Sequence, residues 1–466
     1  MTASMTDGEL GRVLLTLRGV QWILGTKGDP YALLLRAAGD DRAELGRRVR
    51  ERGPLYRSSA EAWVTADHEV AAAALADRRL TPRPPGAAAP AGGPAGEPAP
   101  WDVPALREAL PLAELPTGLD REEYERLARW AEPVLGARAV GRLRAPAVRA
   151  YRSRAAALGE RFDLVDDLIR PATTETARVL LGLPGHRAER FAELCGASAG
   201  ALDATLCPPR LDTARRLGAA LPELRALLAE TVADARKAVA GNPDAGNPDA
   251  RPAAGRVTGG GLPGRLLRLP APDGRPAAAA DDALTVSVLL ATVGVDVTTT
   301  LVGNALALLL DHPGQWRALV EDPGLATACV TETLRHAPPV RLYRLHARQD
   351  LELAGAEVTA GEEVVVLVEA ALRDPRRHPD PDRFDLRRRP DGRPPLPEDG
   401  HHGGLVGPAA RLAADAALRA LAAELPDLTR TGEVLRRLRS PITGGVLRFP
   451  AARHGTVRRQ IPPRAR

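Results

Sequence analysis

Gly400-His401-His402-Gly403-Gly404-Leu405-Val406-Gly407-Pro408-Ala409-Ala410-Arg411-Leu412 is a glycine-rich run that passes into helix-forming sequence. Its glycines make a loop, and Pro408 stands where a first helical turn tolerates proline. The Ala-, Leu- and Arg-rich sequence that continues to Leu425 predicts a helix. Working outward, Glu332-Thr333-Leu334-Arg335 places an acid and a guanidinium three residues apart, one turn of a helix. Between these two stretches lies the turn-forming run Arg373-Asp374-Pro375 through His378-Pro379-Asp380-Pro381-Asp382-Arg383-Phe384-Asp385.

In order and spacing these three elements resemble the C-terminal third of a bacterial cytochrome P-450. That family's pattern is Glu-x-x-Arg, then Arg-Asp-Pro with Pro-Asp-Pro-x-x-Phe, then Phe-x-x-Gly-x-His-x-Cys-x-Gly leading into Pro-x-Ala-Arg-Leu. The resemblance implies one large, mainly α domain with small β-sheets, the cytochrome P-450 fold. Aligned on Pro408, Ala410, Arg411 and Leu412, Gly404 takes the place of the heme-ligating cysteine and Pro397 that of the phenylalanine. Glycine offers iron no donor atom, whereas the family's thiolate is the axial ligand for O–O cleavage.

Other positions that the resemblance assigns to oxygen chemistry have also changed. The helix expected over Glu122–Leu135 corresponds to the one carrying His-x-x-x-Arg against the heme propionates, and those positions fall on Tyr124 and Ala128. Buried carboxylates without cationic partners are costly, so this loss agrees with the loss at Gly404. In the apolar run Asp281–Leu310, read as the family's long central helix, Gly294 and Asp296 match but Val297 replaces the proton-relay threonine. Thr298 follows it, but one residue turns a side chain about 100° round a helix. A further propionate arginine aligns on Leu345, with Arg344 one residue early. The bracing set is retained: Glu332 and Arg335 are expected to pair with each other and with the segment near Arg373.

Composition closes off other classes. The 64 basic and 59 acidic residues are interleaved, so the net charge of +5 and the pI near 9.5 read as a mixed-charge surface, with no nucleic-acid-binding motif. Lysine occurs only at Lys27 and Lys237 amid abundant Arg, Ala, Gly and Pro, the composition of a GC-rich, actinobacterial type of coding sequence. Cys195, Cys207 and Cys329 are too scattered for a disulfide framework or a Cys-x-x-Cys metal site, and imply a reducing cytoplasm. His401-His402 are adjacent and have no third ligand at metal-site spacing, so no metal is expected. Asp296, Asn304 and Thr298–Thr300 inside the apolar run argue for a buried helix rather than a membrane span.

Near the N-terminus, Leu10, Val13, Leu14, Leu17, Val20 and Leu24 share one helical stripe. It is read either as packing on the chain's own domain or as a partner-docking face. Residues 1–36 are thus taken as an N-terminal segment and 37–450 as the P-450-like domain. Low-complexity loops are expected at 82–100 and at 241–281, the latter with the repeat Gly241-Asn242-Pro243-Asp244-Ala245 and Gly246-Asn247-Pro248-Asp249-Ala250. Residues 451–466 are read as a disordered basic tail.

Retained bracing with altered chemistry narrows the resemblance. The blocks Leu10-Gly11-Arg12 through Arg18-Gly19, Trp22 and Gly28-Asp29-Pro30-Tyr31, with Thr65-Ala66-Asp67-His68 and Arg437-x-Arg439-Ser440-Pro441, look like one group. These are the heme-free P-450-like auxiliary proteins that activate deoxysugar glycosyltransferases in macrolide and anthracycline biosynthesis. The resemblance implies no cofactor, no catalytic residue, a cytoplasmic location and a glycosyltransferase partner in a hetero-oligomer. The competing class is an atypical heme protein, or an enzyme using the vacated cavity.

Overall fold

The long apolar run forms the axis of the molecule, a helix over Ala278–Asp311 whose most apolar window is wholly buried by the protein itself. Asn304 and Asp296 are satisfied inside the fold. Asn304 donates to the Ala337 carbonyl at 2.9 Å and accepts from Arg436 at 2.8 Å, and Asp296 pairs with Arg437. Between Leu290 and Gly294 the ladder widens to π-helical spacing before helical turns resume at Val295. The computed structural model describes residues 5–83, 106–110, 112, 115–241, 261–271, 276–388 and 403–453.

Six helices position the site. They are α1 (Asp7–Gly25), α2 (Pro30–Arg36), α3 (Arg121–Leu135), α4 (Val295–Asp311, the second half of the axis), α5 (Ala326–His336) and α6 (Gly403–Glu424). Caps fix several starts: Thr6 and Glu9 form a reciprocal capping box on α1, Asp120 and Glu123 do so on α3, and Asp29 caps α2. A five-stranded sheet contains β1 (Tyr56–Arg57), β2 (Ala62–Thr65), β3 (Leu80–Thr81), β4 (Tyr343–Ala347) and β5 (Glu363–Val366) in the order β1-β2-β5-β4-β3. β2 pairs with β5 in parallel, and the other pairings are antiparallel. Smaller sheets flank it, and the bulk of the chain is helical, as the sequence implied.

Several boundaries differ from expectation. Within 241–281, Gly261–Leu266 is a helix whose Leu262 and Leu266, four residues apart, are fully buried, and another helix starts at Pro276. Residues 84–100 lie outside the described residues. Pro450–Arg453 forms a strand between Arg161–Asp163 and Leu428–Arg430, so ordered structure runs past 450, and 454–466 lie outside the description. α6 already begins at Gly403, which puts Pro408 inside it. The proline removes the hydrogen bond to the Gly404 carbonyl, but Gly404 is exposed, so water can meet that oxygen.

The N-terminal stripe turns inward. Leu10 and Leu14, 4 % and 2 % exposed, pack with Leu110, Leu112, Leu115, Leu217 and Leu221, and Val13 is also buried. Leu17 and Leu24 are half-buried, and Val20 is exposed only at the margin of the same stripe. Leu10, Val13 and Leu14 are therefore core residues rather than a partner interface, because covering three leucine-sized side chains stabilises the chain by ~2 kcal/mol each.

Glu369 ties the N-terminal third to the sheet by pairing with Arg42 at 3.1 Å and Arg341 at 3.7 Å. Burial alone would raise its pKa, but the guanidinium groups of Arg341 and Arg42 outweigh burial and hold it at about 2. A lowered carboxylate pKa stabilises the fold fully above the ordinary value and loses that contribution as pH falls through the folded one. Acid unfolding between about pH 4.5 and 2 should therefore remove on the order of 3 kcal/mol. In Glu369→Gln this segment of the stability–pH curve should be missing, as followed by denaturant titration at each pH.

Candidate functional site

Around the Gly404 position the chain has joined its altered residues to one another. Tyr124 of α3 turns its hydroxyl to the start of α6 and accepts the Leu405 amide at 3.2 Å, satisfying a donor that the first helical turn leaves free. A β-carbon built on Gly404 would stand 3.4 Å from the β-carbon of Ala128. Leu405 and Val406 are buried in one apolar cluster with Leu127, Leu290, Val293 and Val297. Tyr124, Ala128 and Gly404 thus meet where α3 and α6 converge, and neither they nor Val297 on the central helix offer iron a thiolate or imidazole. These residues do not fit a thiolate-ligated heme. His401 and His402 lie outside the described residues, and no cluster of three or more potential metal ligands occurs among the described ones.

The remaining acid of the central helix is occupied. Asp296 receives Arg437 at 2.7 and 3.1 Å and the Gly200 amide at 3.2 Å. Burial pushes its pKa up, but Arg437 outweighs this and leaves it below the usual carboxylate range, so it is a fixed anion and not a proton donor. Leu345 points into the sheet's apolar core, fully buried, while Arg344 faces the other way and pairs with Glu363. Tyr31 donates to Glu363 at 3.3 Å; burial, then the Glu363 charge, raise its hydroxyl pKa well above normal.

Arg344, Glu363 and Tyr31 line a cavity of about 460 Å³ between α1 and the sheet, whose other walls include Leu17, Leu24 and Leu206. Tyr124, Ala128, Val297 and Gly404 do not line it. Arg344 pairs with Glu363, Tyr31 donates to the same carboxylate, and His346 also lines the cavity.

The brace is present, with one different member. Arg335 grips Glu332 at 2.8 and 2.9 Å and donates to the carbonyls of Leu372, Pro381 and Arg383. The second cation on Glu332 is Arg388, at 3.1 Å, together with the Asp385 amide at 3.1 Å. Arg373 instead holds the end of α5 through the His336 carbonyl at 2.6 and 3.0 Å, and lies 3.6 Å from Asp382. It braces the same loop from the other side, while Arg335 reaches the segment near Arg373 through the Leu372 carbonyl.

Sequence reasoning missed Asp203. This buried carboxylate accepts from Ser440 Oγ at 2.6 Å, Thr443 Oγ1 at 2.5 Å, and the Ile442 and Thr443 amides at 2.8 and 2.9 Å. The Ser440-Pro441 block was singled out, but nothing in its sequence names an acid more than 200 residues away.

A profile of the cytochrome P450 family matches residues 318–393, the segment from before α5 through the brace. The open form of cytochrome P450 EryK from S. erythraea superposes with a TM-score of 0.70 at 26% identity, covering 90% of this chain and 97% of that one. The chain belongs to the cytochrome P450 family. Over 450 residues it is 31% identical to the cytochrome P450 family protein EryCII of Saccharopolyspora erythraea, covering 95% of this chain and 97% of that protein. It is 45% identical to protein AknT of Streptomyces galilaeus over 459 residues, 96% of each chain.

Proposed function

We propose that this chain is a non-catalytic, heme-free P450-type auxiliary protein. It binds a glycosyltransferase that attaches a nucleotide-activated deoxysugar to a polyketide-type natural product, and it activates or stabilises that enzyme within a hetero-oligomer in the cytoplasm. The observation that carries this reading is the Tyr124–Leu405 contact beside Gly404. Positions the family uses for heme are occupied by residues that serve folding, while the Glu332–Arg335 brace is kept. The nearly end-to-end matches to AknT and EryCII, covering 96% and 95% of this chain, support it further.

A protein selected for its surface needs the fold and not the iron. Binding only the competent conformation of a transferase would stabilise that conformation by mass action, with coupling of ~1–3 kcal/mol. The test is expression with heme precursor alone and together with the transferase encoded beside it. The purified chain should lack a Soret band and stoichiometric iron, and should co-elute with the transferase. A Soret band with one iron per chain would instead favour the atypical heme protein.

A further inference from the structure

On the reading that this chain activates a glycosyltransferase, we infer that the transferase docks on the outer face of α1 and the arginine cluster beside it, presenting an acidic-rimmed apolar segment. The stripe singled out in the sequence is turned into the core, and the opposite face of the same helix is the one left uncovered. There Leu15 is 65 % exposed, Trp22 53 % and Ile23 66 %, although each is a large apolar side chain. Gly19 lies between them, and a β-carbon placed on it would meet nothing within 4 Å, so a partner side chain can approach the helix backbone there. The Trp22 ring is held from beneath by the Arg36 guanidinium at 4.8 Å, which limits the conformational freedom it must lose on binding.

The apolar face continues onto Leu211, whose Cδ2 is 3.9 Å from where a Gly11 β-carbon would stand. Leu211 follows Arg210, and Arg210, Arg18 and Arg439 form a cationic group. Burial and then mutual repulsion lower the pKa of Arg18 and Arg439. None of the three has a carboxylate partner among the described residues, and Arg18 Nε and Arg439 Nη1 have no hydrogen-bond acceptor. Arg18 is anchored through Nη2 to the Pro208 and Pro209 carbonyls at 3.3 and 3.0 Å. Arg439 holds a left-handed backbone, φ 60°, which costs a non-glycine residue energy and needs a compensating role. Three gathered guanidiniums without an acid, next to exposed Trp and Leu, match the composition of interface centres, and their charge selects an acidic partner. Arg18, tethered to two carbonyls, suits a shaped protein surface better than a fluid anionic lipid surface, where long cations reach up freely.

The test titrates the full-length chain into the transferase encoded beside it, reading deoxysugar transfer and co-elution. Leu15→Asp/Ile23→Asp and, separately, Arg210→Glu should keep the wild-type melting temperature. Each should raise the concentration giving half-maximal activation by about tenfold or more, and added salt should weaken the wild type but affect R210E less. Arg210 is exposed, so R210E reports even if the double variant folds poorly. Wild-type half-saturation in both folded variants would overturn the docking surface and leave the activator reading intact. A wild-type chain that neither activates nor co-elutes would overturn the activator reading and this surface with it. Binding to phosphatidylcholine/phosphatidylserine vesicles that is lost in L15D/I23D, without loss of activation, would reassign the face to a membrane and overturn the proposal.

Discussion

Arg335→Ala should destabilise the protein by ~3–5 kcal/mol, although no catalysis depends on it. Glu332 and Arg335 are 4 % and 8 % exposed, so truncating the guanidinium leaves a carboxylate that water cannot reach freely. Arg388 and the Asp385 amide still hold Glu332 Oε1, but Oε2 loses its Arg335 donor, and the Leu372, Pro381 and Arg383 carbonyls lose theirs. Arg335→Lys should recover only part of the loss, since a point-charge ammonium cannot reproduce a planar fork that reaches both carboxylate oxygens and the loop. Urea unfolding of the three proteins at neutral pH reads this directly. A loss below ~1 kcal/mol would mean that the pair is not what holds this loop on α5.

Asp203→Ala carries the second large effect, ~4 kcal/mol of lost stability. Two opposing contributions decide its sign. Burial raises the Asp203 pKa, only partly offset by the hydroxyls of Ser440 and Thr443 and the Thr443 amide, so removing the carboxylate relieves a desolvation cost. Against that, four donors lose their acceptor together; one of the Ser440 and Thr443 hydroxyls, 3.0 Å apart, can turn to the other, which leaves three unsatisfied groups worth ~1–3 kcal/mol each. The second contribution is larger, so the variant should be less stable at neutral pH. Its pH dependence should also change in a defined direction. A raised carboxyl pKa gives stability that is complete below the ordinary aspartate range and declines as pH rises through the folded value. In Asp203→Ala that decline should vanish, so denaturant midpoints collected from pH 4 upward should run flatter than those of the wild type.

Local signals carried much of the architecture. The helix that the resemblance implies over Glu122–Leu135 begins one residue earlier, at Arg121, and ends at the same residue. Glu332 and Arg335 pair because three-residue spacing puts them on one turn. Features that depend on long-range packing were not legible. Arg373 and Arg388 sit in one arginine-rich loop, and only the path of that loop determines that Arg388 reaches Glu332. The stripe of α1 was evident, but its periodicity cannot say whether the covering surface belongs to the same chain, and Leu110, Leu217 and Leu221 supply it. The glycine- and proline-rich composition around residue 260 masked the Leu262/Leu266 pair, which is enough to bury one short helix.

We propose that this fold acts on a transferase and performs no chemistry of its own. The most direct measurement is the steady-state rate of deoxysugar transfer by the purified transferase at increasing concentrations of this protein, in heme-free and redox-free buffer. A saturable rise in rate, unchanged by added heme, reductant or carbon monoxide, is the predicted result. A rate that stays flat at every ratio, or one that rises only when heme and a reductant are supplied, would contradict it.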